Sequence, residues 1–218
     1  MGARRPTIPL NVNRRRRPGA GAAWVAFAAA LLLAATLVHA NPNPRALVEQ
    51  TTERVMAVLD ERGEELADDP VALYEAMAPI VQEHIDFERI SARILGPAWR
   101  DADADTRERF IREFQRSLLR TYGGALDDYR GFEATVRGTR QRGDAVQVGM
   151  DIRRGDTSAR VIYYLEERAD GWKLVDISAE GVSLVHNFRE DFRARLRDQS
   201  LESIIDTMER RNREIGFE

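Results

Sequence analysis

The spacing of hydrophobic and polar positions changes twice along the chain. From about residue 44 to residue 129, apolar residues recur at steps of three and four, which is typical of amphipathic helices. From residue 132 to residue 179 they follow every second position, which is typical of strands, and from Val185 the helical spacing returns. The pattern predicts helices, then an antiparallel sheet, then closing helices, which is the α+β class.

Four helices are predicted before the sheet, at residues 41–67, 73–84, 86–95 and 106–129. Pro79 lies inside the second helix and is expected to kink or shorten it. Gly96 and Pro97 form a stop signal after the third helix. Asp105 and Glu108 have the spacing of an N-terminal capping pair and predict the start of the fourth, long helix.

Four strands are predicted, at residues 132–139, 145–153, 159–167 and 172–179, with turn-forming residues between them. Short connections between consecutive strands imply an antiparallel meander. In the last strand, simple alternation puts Trp172 and Leu174 on one face and Val175 and Ile177 on the other.

The chain passes from the last strand to a helix around residues 180–183. Ser183 is predicted to be the N-cap, because its hydroxyl can accept a hydrogen bond from an otherwise unpaired amide two or three residues later. Gly181 is predicted to supply backbone freedom at this corner. Two helices follow within residues 185–208, and residues 209–218 are predicted to form a charged, frayed tail.

The first forty residues have the composition of a secretory signal peptide. Six arginines precede an uncharged, alanine-rich run at residues 20–38, and residues 38–40 form a small-residue cleavage site. An uncleaved membrane anchor is the alternative, because the run approaches a spanning length. We predict a signal peptide at residues 1–40, an α+β domain at 41–208 and the charged tail at 209–218.

Charge and cysteine content exclude several classes of function. Without residues 1–40 the chain has 27 basic and 36 acidic residues, a net charge of −9, which argues against nucleic acid as a partner. The chain has no cysteine, so it has neither a disulfide framework nor a thiolate nucleophile.

Catalytic arrangements are scarce in the sequence. His84 and His186 have no partners at metal-ligand spacing, and we interpret both as structural. The sequence GVSLV around Ser183 lacks the final glycine of a nucleophile elbow. We therefore predict neither an enzyme nor a metal site. The abundant apolar faces either cover one another as an ordinary core or enclose a cavity, and periodicity does not separate these two arrangements.

Five motifs occur in order along the chain: LGPAWR at 95–100, FIREFQRSLLRTY at 110–122, YRG at 129–131, GWKLVD at 171–176 and EGVSLVHNFR at 180–189. Together they resemble the MlaC family, the periplasmic phospholipid carriers of Gram-negative bacteria, also called toluene-tolerance proteins. Before the long helix the family usually has Thr-Pro-Glu, where this chain has DADT at residues 103–106.

The resemblance implies an α+β fold related to nuclear transport factor 2, with helices on a curved four-stranded antiparallel sheet around an apolar lipid cavity. It implies a shuttle that carries phospholipid between an outer-membrane lipoprotein–porin complex and an inner-membrane ABC transporter complex with a ring-forming lipid-binding subunit. Such transport maintains outer-membrane lipid asymmetry. The alternatives are a carrier of another lipid such as a hopanoid, a small acid/base enzyme on the same fold, and an adaptor without a ligand.

On this interpretation, phospholipid is the carried ligand, no cofactor is needed, and the lipid tails lie between the long helix, the sheet and the closing helix. The residues predicted to line the site are Trp99, Phe114, Leu118, Tyr122, Val146, Val148, Met150, Val161, Tyr163, Val175, Ile177 and Phe188.

Overall fold

The computed structural model describes residues 43–67, 69–122 and 133–217, so the predicted signal peptide lies outside the described residues. The helices are α1 (Pro44–Leu66), α2 (Pro70–Val81), α3 (Phe87–Leu95), α4 (Pro97–Asp101), α5 (Ala104–Tyr122), α6 (Leu184–Arg195) and α7 (Leu201–Arg213). The strands are β1 (Glu133–Arg142), β2 (Ala145–Arg154), β3 (Thr157–Arg168), β4 (Gly171–Ala179) and β5 (Val182–Ser183). These elements confirm the predicted α+β class. Within the described ranges, no helix has the length and hydrophobicity that a membrane span requires.

The start of the long helix α5 differs from the prediction. Asp103 is the capping residue, because its Oδ1 accepts a hydrogen bond from the Thr106 amide at 2.8 Å. Asp105 lies inside the first turn, where a negative charge interacts favourably with the helix dipole. The glycine pair predicted inside this helix, at residues 123 and 124, lies outside the described residues. The side chains that cap other helices are those of Asn43, Asp69, Asp86, Ser183 and Ser200.

The sheet is an antiparallel meander with strand order β1-β2-β3-β4-β5. All four predicted strands are present, and β5 is an additional fifth strand. It consists of Val182 and Ser183, which pair with Ala179 and Ser178 of β4. Two residues are too few to produce an alternating pattern in a sequence, so only the three-dimensional pairing reveals this strand.

The register between β3 and β4 shifts at Val175. Leu165 is opposite Leu174, whereas the residue before Leu165 is opposite Asp176, so Val175 has no partner of its own across the ladder. Such an extra residue is a β-bulge, and it interrupts the alternation of faces. The predicted faces of β4 are therefore wrong, because Leu174 and Ile177 line the same cavity.

Helices α3, α4, α5, α6 and α7 pack into a cluster that we call the helical core. Its buried members are Ile90, Ile94, Leu95, Trp99, Phe110, Phe114, Val185, Phe192, Leu201, Ile204, Ile205 and Met208. The rings of Phe110 and Phe114 stack with centroids 5.6 Å apart, and Phe192 meets Phe110 edge-on at 5.3 Å. Both arrangements are favourable for aromatic pairs, so this side of the molecule is closely packed.

A buried polar network joins α5 to α7 inside the helical core. Asn212 Nδ2 donates to the Glu113 backbone oxygen and to Glu113 Oε2, both at 3.0 Å. Arg116 donates to Glu113 Oε1 at 3.1 Å. The Glu113 carboxylate is 1% exposed, so these donors replace the hydration that it has lost.

The last residues are packed, in contrast to the frayed tail that the sequence predicts. Helix α7 continues to Arg213, and the side chain of Asn212 on this turn is buried. Phe217 is also buried, with its ring edge-on to Tyr74 of α2 at 5.4 Å. Charged residues dominate this segment, so one amide and one aromatic side chain that anchor it are easily overlooked in the sequence.

Helix α1 crosses the sheet and is buried only near its two ends. Leu47 and Val48 pack against the sheet, and Leu59 and Leu66 pack against α2. None of the side chains at residues 49–58 is buried. In this middle stretch, Val55, Met56 and Val58 are half-buried and pack against the cluster that α1 forms with α2, so α1 is held from that side and leaves a gap towards the sheet.

Candidate functional site

An apolar cavity of about 500 Å³ lies between the middle of α1 and the sheet. Helix α1 forms one wall, the strands form the opposite wall, and the 3₁₀ turn Gln82–His84 lies at one end. The lining residues are Leu47, Val48, Thr51, Thr52, Val55, Met56, Leu59, Val81, His84, Ile85, Ala134, Met150, Ile152, Val161, Tyr163, Leu165, Leu174, Ile177 and Ala179. Small-molecule sites occupy roughly 300–1,000 Å³, so the cavity has the size of a ligand site.

The lining of the cavity offers few polar groups. The oxygen and nitrogen atoms of its side chains belong to Thr51, Thr52, His84 and Tyr163, and no carboxylate, lysine or arginine is part of the lining. The Thr52 hydroxyl lies 3.8 Å from the sulfur of Met150. A charged ligand would lose its hydration here without replacement, whereas a hydrocarbon would lose nothing. The cavity is therefore suited to an apolar ligand.

His84 is the lining residue whose charge can change near neutral pH. Burial lowers the pKa of His84, and the cations Lys173 and Arg54 lower it further, whereas Glu83 acts in the opposite direction. Its Nε2 lies 2.9 Å from Glu83 Oε1. The other histidine of the predicted domain, His186, is exposed on α6. Across the described residues, no group of histidine and acidic side chains is placed to hold a metal ion.

Asp176 organises the corner between β4 and α6. Its Oδ2 accepts from the Ser183 hydroxyl at 2.7 Å, and its Oδ1 accepts from the Val185 amide at 3.2 Å. Ser183 accepts from the His186 amide at 3.0 Å, which confirms its predicted role as the N-cap. Gly181 has a φ of +82°, which confirms the predicted need for backbone freedom. The Asp176 carboxylate is thus engaged in holding the corner.

Comparison with known protein families gives a match to the MlaC protein family over residues 49–210. The chain belongs to the MlaC family. This match confirms the resemblance inferred from the five motifs and covers α1, the sheet, the helical core and most of α7.

Individual MlaC relatives agree with this assignment. The toluene tolerance protein ttg2D of Pseudomonas putida is 29% identical over 167 residues, which cover 74% of this chain and 78% of the relative. The intermembrane phospholipid transport system binding protein MlaC of Haemophilus influenzae is 20% identical over 176 residues, with coverage of 78% and 82%. A solved phospholipid-binding protein from Ralstonia solanacearum, in complex with a phospholipid, has a TM-score of 0.71 and 20% identity. The structural alignment covers 79% of this chain and 98% of the Ralstonia chain, which shows a shared fold.

The residues predicted from the MlaC resemblance occupy several different places. Those lining the cavity are Met150, Val161, Tyr163 and Ile177. Those in the adjoining cluster between α1 and the sheet are Val146 and Val148. Those in or against the helical core are Trp99, Phe114, Leu118 and Phe188. Val175 is buried at the bulge, and the side chain of Tyr122 lies outside the described residues.

The wall that α1 contributes is absent from the predicted lining residues. The cavity lies under Thr51, Thr52, Val55 and Met56, whereas the sequence places it beside the long helix and the closing helix. Periodicity identifies the apolar face of α1 but does not show whether a neighbour fills the space next to it. A signal was available in the adjacent threonines at 51 and 52, which are small and polar for a helix face that packs tightly.

Proposed function

We propose that this protein is a periplasmic phospholipid carrier that encloses lipid tails in the cavity beneath α1. The observation that carries the proposal is the cavity itself, about 500 Å³ with an almost wholly hydrocarbon lining. Membership of the MlaC family supports it, as do a relative named as a phospholipid transport binding protein and a solved neighbour that holds a phospholipid. The predicted signal peptide supports export to the periplasm.

Movement of a phospholipid through water requires an enclosure of this kind. Each methylene group left in water costs ~0.8 kcal/mol, so exposure of two acyl chains costs on the order of 20 kcal/mol. A membrane solvates the same chains about as well as an apolar cavity does. The carrier therefore needs little net affinity from burial, and it can both load and release its ligand. The headgroup stays outside, because the lining offers no charged partner for it.

Helix α1 is the wall that opens to admit the tails. The side chains of residues 49–58 are half-buried or exposed, so this segment resists movement less than the buried Leu47 and Leu66 near the two ends of the helix. Segments with few buried contacts open at a lower free-energy cost than the core does. Opening would occur on docking to the outer-membrane lipoprotein–porin complex and to the ring-forming subunit of the inner-membrane ABC transporter. Transport between these partners would maintain outer-membrane lipid asymmetry.

The proposal is tested by filling the cavity. The exported protein would be purified from bacteria and extracted with organic solvent, and bound phospholipid would be quantified by mass spectrometry. We expect stoichiometric phospholipid in the wild type and at least about tenfold less in Val161→Trp, because the indole occupies space that the tails need. Val182→Trp is the matched control, since Val182 is 54% exposed and lies outside the cavity. Wild-type protein without bound lipid would contradict the proposal.

Two alternatives from the sequence are a carrier of another lipid and an acid/base enzyme. The same extraction and the residues that line the cavity address both. Mass spectrometry of the extract distinguishes phospholipid from a hopanoid or another lipid. An acid/base enzyme requires a donor and an acceptor that face one ligand. An enzyme of this kind would use the titratable residues of the lining, His84 and Tyr163, whereas a carrier releases its phospholipid chemically unchanged, which the mass of the extracted lipid shows. The carrier needs neither a catalytic residue nor a cofactor.

A further inference from the structure

A second apolar space of about 80 Å³ lies next to the cavity, between β4, α3, α5 and α6. We call it the rear space. Its lining residues are Ile85, Phe87, Ile90, Phe114, Leu118, Leu174, Asp176, Ile177, Leu184, Val185 and Phe188. Ile85, Leu174 and Ile177 line both the rear space and the cavity, so these three side chains separate the two volumes.

The fold brings the three separating side chains together from distant positions. A β-bridge pairs Ile85 with Leu174, and the Asp86 amide donates to the Leu174 carbonyl at 3.0 Å. The bulge at Val175 then places Ile177 beside Leu174 in the cavity wall, where regular alternation would have put it on the other face. Without the bulge, β4 would present one large aliphatic side chain here instead of two.

The rear space is hydrocarbon on all sides except at Asp176. The carboxylate oxygens of Asp176 are already occupied by the Ser183 hydroxyl and by the amides of Ile177 and Val185. Apolar spaces of this kind do not hold ordered water, and the atoms around them lack contacts on one side. A hydrocarbon group that entered the rear space would restore those contacts.

We propose that Ile85, Leu174 and Ile177 act as a partition that sets the acyl-chain length of the bound lipid. When these side chains change rotamer, the rear space receives the terminal methylene groups of a chain that is too long for the cavity alone. This inference rests on the proposed function and adds a specificity determinant to it. It assigns Ile177, which the sequence also indicates as a lining residue, a position at the end of the chain rather than along its length.

Two substitutions change the partition in opposite directions. Ile177→Ala opens it from the cavity side, and Leu184→Phe fills the rear space from α6 without reaching the cavity, because Leu184 lines the rear space alone. Ile85→Val is a milder opening variant, used in case Ile177→Ala does not fold. Thermal unfolding of each variant establishes that it is folded.

The experiment offers each protein vesicles that contain equal amounts of two phosphatidylglycerols whose chains differ by four methylenes. Protein-bound lipid is then analysed by mass spectrometry. Each methylene group that is left in water instead of apolar surroundings weakens the equilibrium binding of a lipid about fourfold. We expect the ratio of long to short bound lipid to rise by about fourfold or more in Ile177→Ala and to fall by a similar factor in Leu184→Phe.

The experiment distinguishes failure of the partition from failure of the proposed function. If wild type and folded variants bind stoichiometric lipid with the same ratio of chain lengths, the partition is overturned and the proposed function stands. If a folded variant shifts the ratio in the direction opposite to that expected, the partition is likewise overturned. If the wild type carries no lipid, whether loaded in bacteria or from the vesicles, the proposed function is overturned and this inference with it.

Discussion

In the helical core, Phe110 and Ile204 are fully buried against neighbouring side chains, whereas Met56 and Val161 on the α1 side of the sheet face an open cavity. The two regions have similar apolar composition and differ in whether a partner side chain fills the space opposite. In one region apolar contacts hold the fold together. In the other they leave a volume for a ligand, and the helix above that volume has its fully buried side chains only towards its ends. The difference separates the residues that stabilise the protein from those that hold its cargo.

The largest effect is expected from truncation of Phe110, compared with truncation of a cavity residue. Phe110→Ala should lower the free energy of unfolding by about 3–5 kcal/mol, because it leaves a void in a closely packed core. Met56→Ala should cost roughly 1 kcal/mol, because Met56 is only half-buried and lines the cavity on one side. Urea unfolding without lipid measures both values. Equal losses in the two variants would remove the distinction between the regions.

A second large effect is expected from the polar network between α5 and α7. Glu113→Ala should destabilise the protein by about 2–3 kcal/mol, because Arg116 loses its carboxylate partner and Asn212 keeps only the backbone acceptor of residue 113. Lipid retention by the folded fraction should be unchanged, because Glu113 is not part of the cavity lining. Glu49→Ala on α1, where Glu49 pairs with the exposed Arg45, is the control and should change stability by less than about 1 kcal/mol. Loss of lipid in folded Glu113→Ala would show that the two regions are coupled.

An intermediate effect is expected at the corner that joins the sheet to the helical core. Gly181→Val should cost about 1–2 kcal/mol from backbone strain at φ +82°, since no atom lies within 4 Å of the added Cβ. It should also loosen α6, whose Leu184, Val185 and Phe188 line the rear space, and so reduce retention of lipid whose chain ends enter that space. Gly181→Asn is the control, because asparagine tolerates a positive φ better than valine does. If both variants behave as wild type, the corner has no role in closing the ligand site.

The smallest effect is expected from acidification. Because burial holds the pKa of His84 below its usual value, the folded state binds a proton less readily than the unfolded state does. The preference of folded His84 for its neutral form contributes stability that is present above the unfolded pKa of about 6.5. This contribution is lost as the pH falls towards the lower folded pKa. The urea midpoint should therefore decrease more between pH values of about 7.5 and 5.5 in the wild type than in His84→Gln. Equal decreases would show that His84 contributes nothing to the pH dependence.

The sequence predicts the elements of the fold well because their signals are local. Alternation locates the four long strands, and Ser183 and Gly181 are recognisable at the corner from the chemistry of a cap and a turn. The cap of α5 is misplaced by two residues, since Asp103 and Asp105 both satisfy the composition of a cap and only the geometry selects Asp103.

The candidate site is less predictable because it depends on non-local arrangement. The bulge at Val175 arises from the register between β3 and β4, so the sequence of β4 alone gives the wrong face for Leu174. Helical spacing is recognisable in both α1 and α5, yet Phe110 of α5 packs against other side chains and Met56 of α1 lines a cavity. The hydrophobic pattern shows which face of a helix is apolar, but it does not show what covers that face.

The central claim, that lipid tails lie between α1 and the sheet, is tested most directly by an electron-density map of the exported protein purified with its bound lipid. We predict continuous density for acyl chains beneath residues 51–56 of α1, in contact with Val161 and Tyr163 of β3 and with the headgroup in solvent. A map in which α1 has collapsed onto β2 and β3 with no space between them, or in which the tails lie wholly between α5 and α6, would contradict the account.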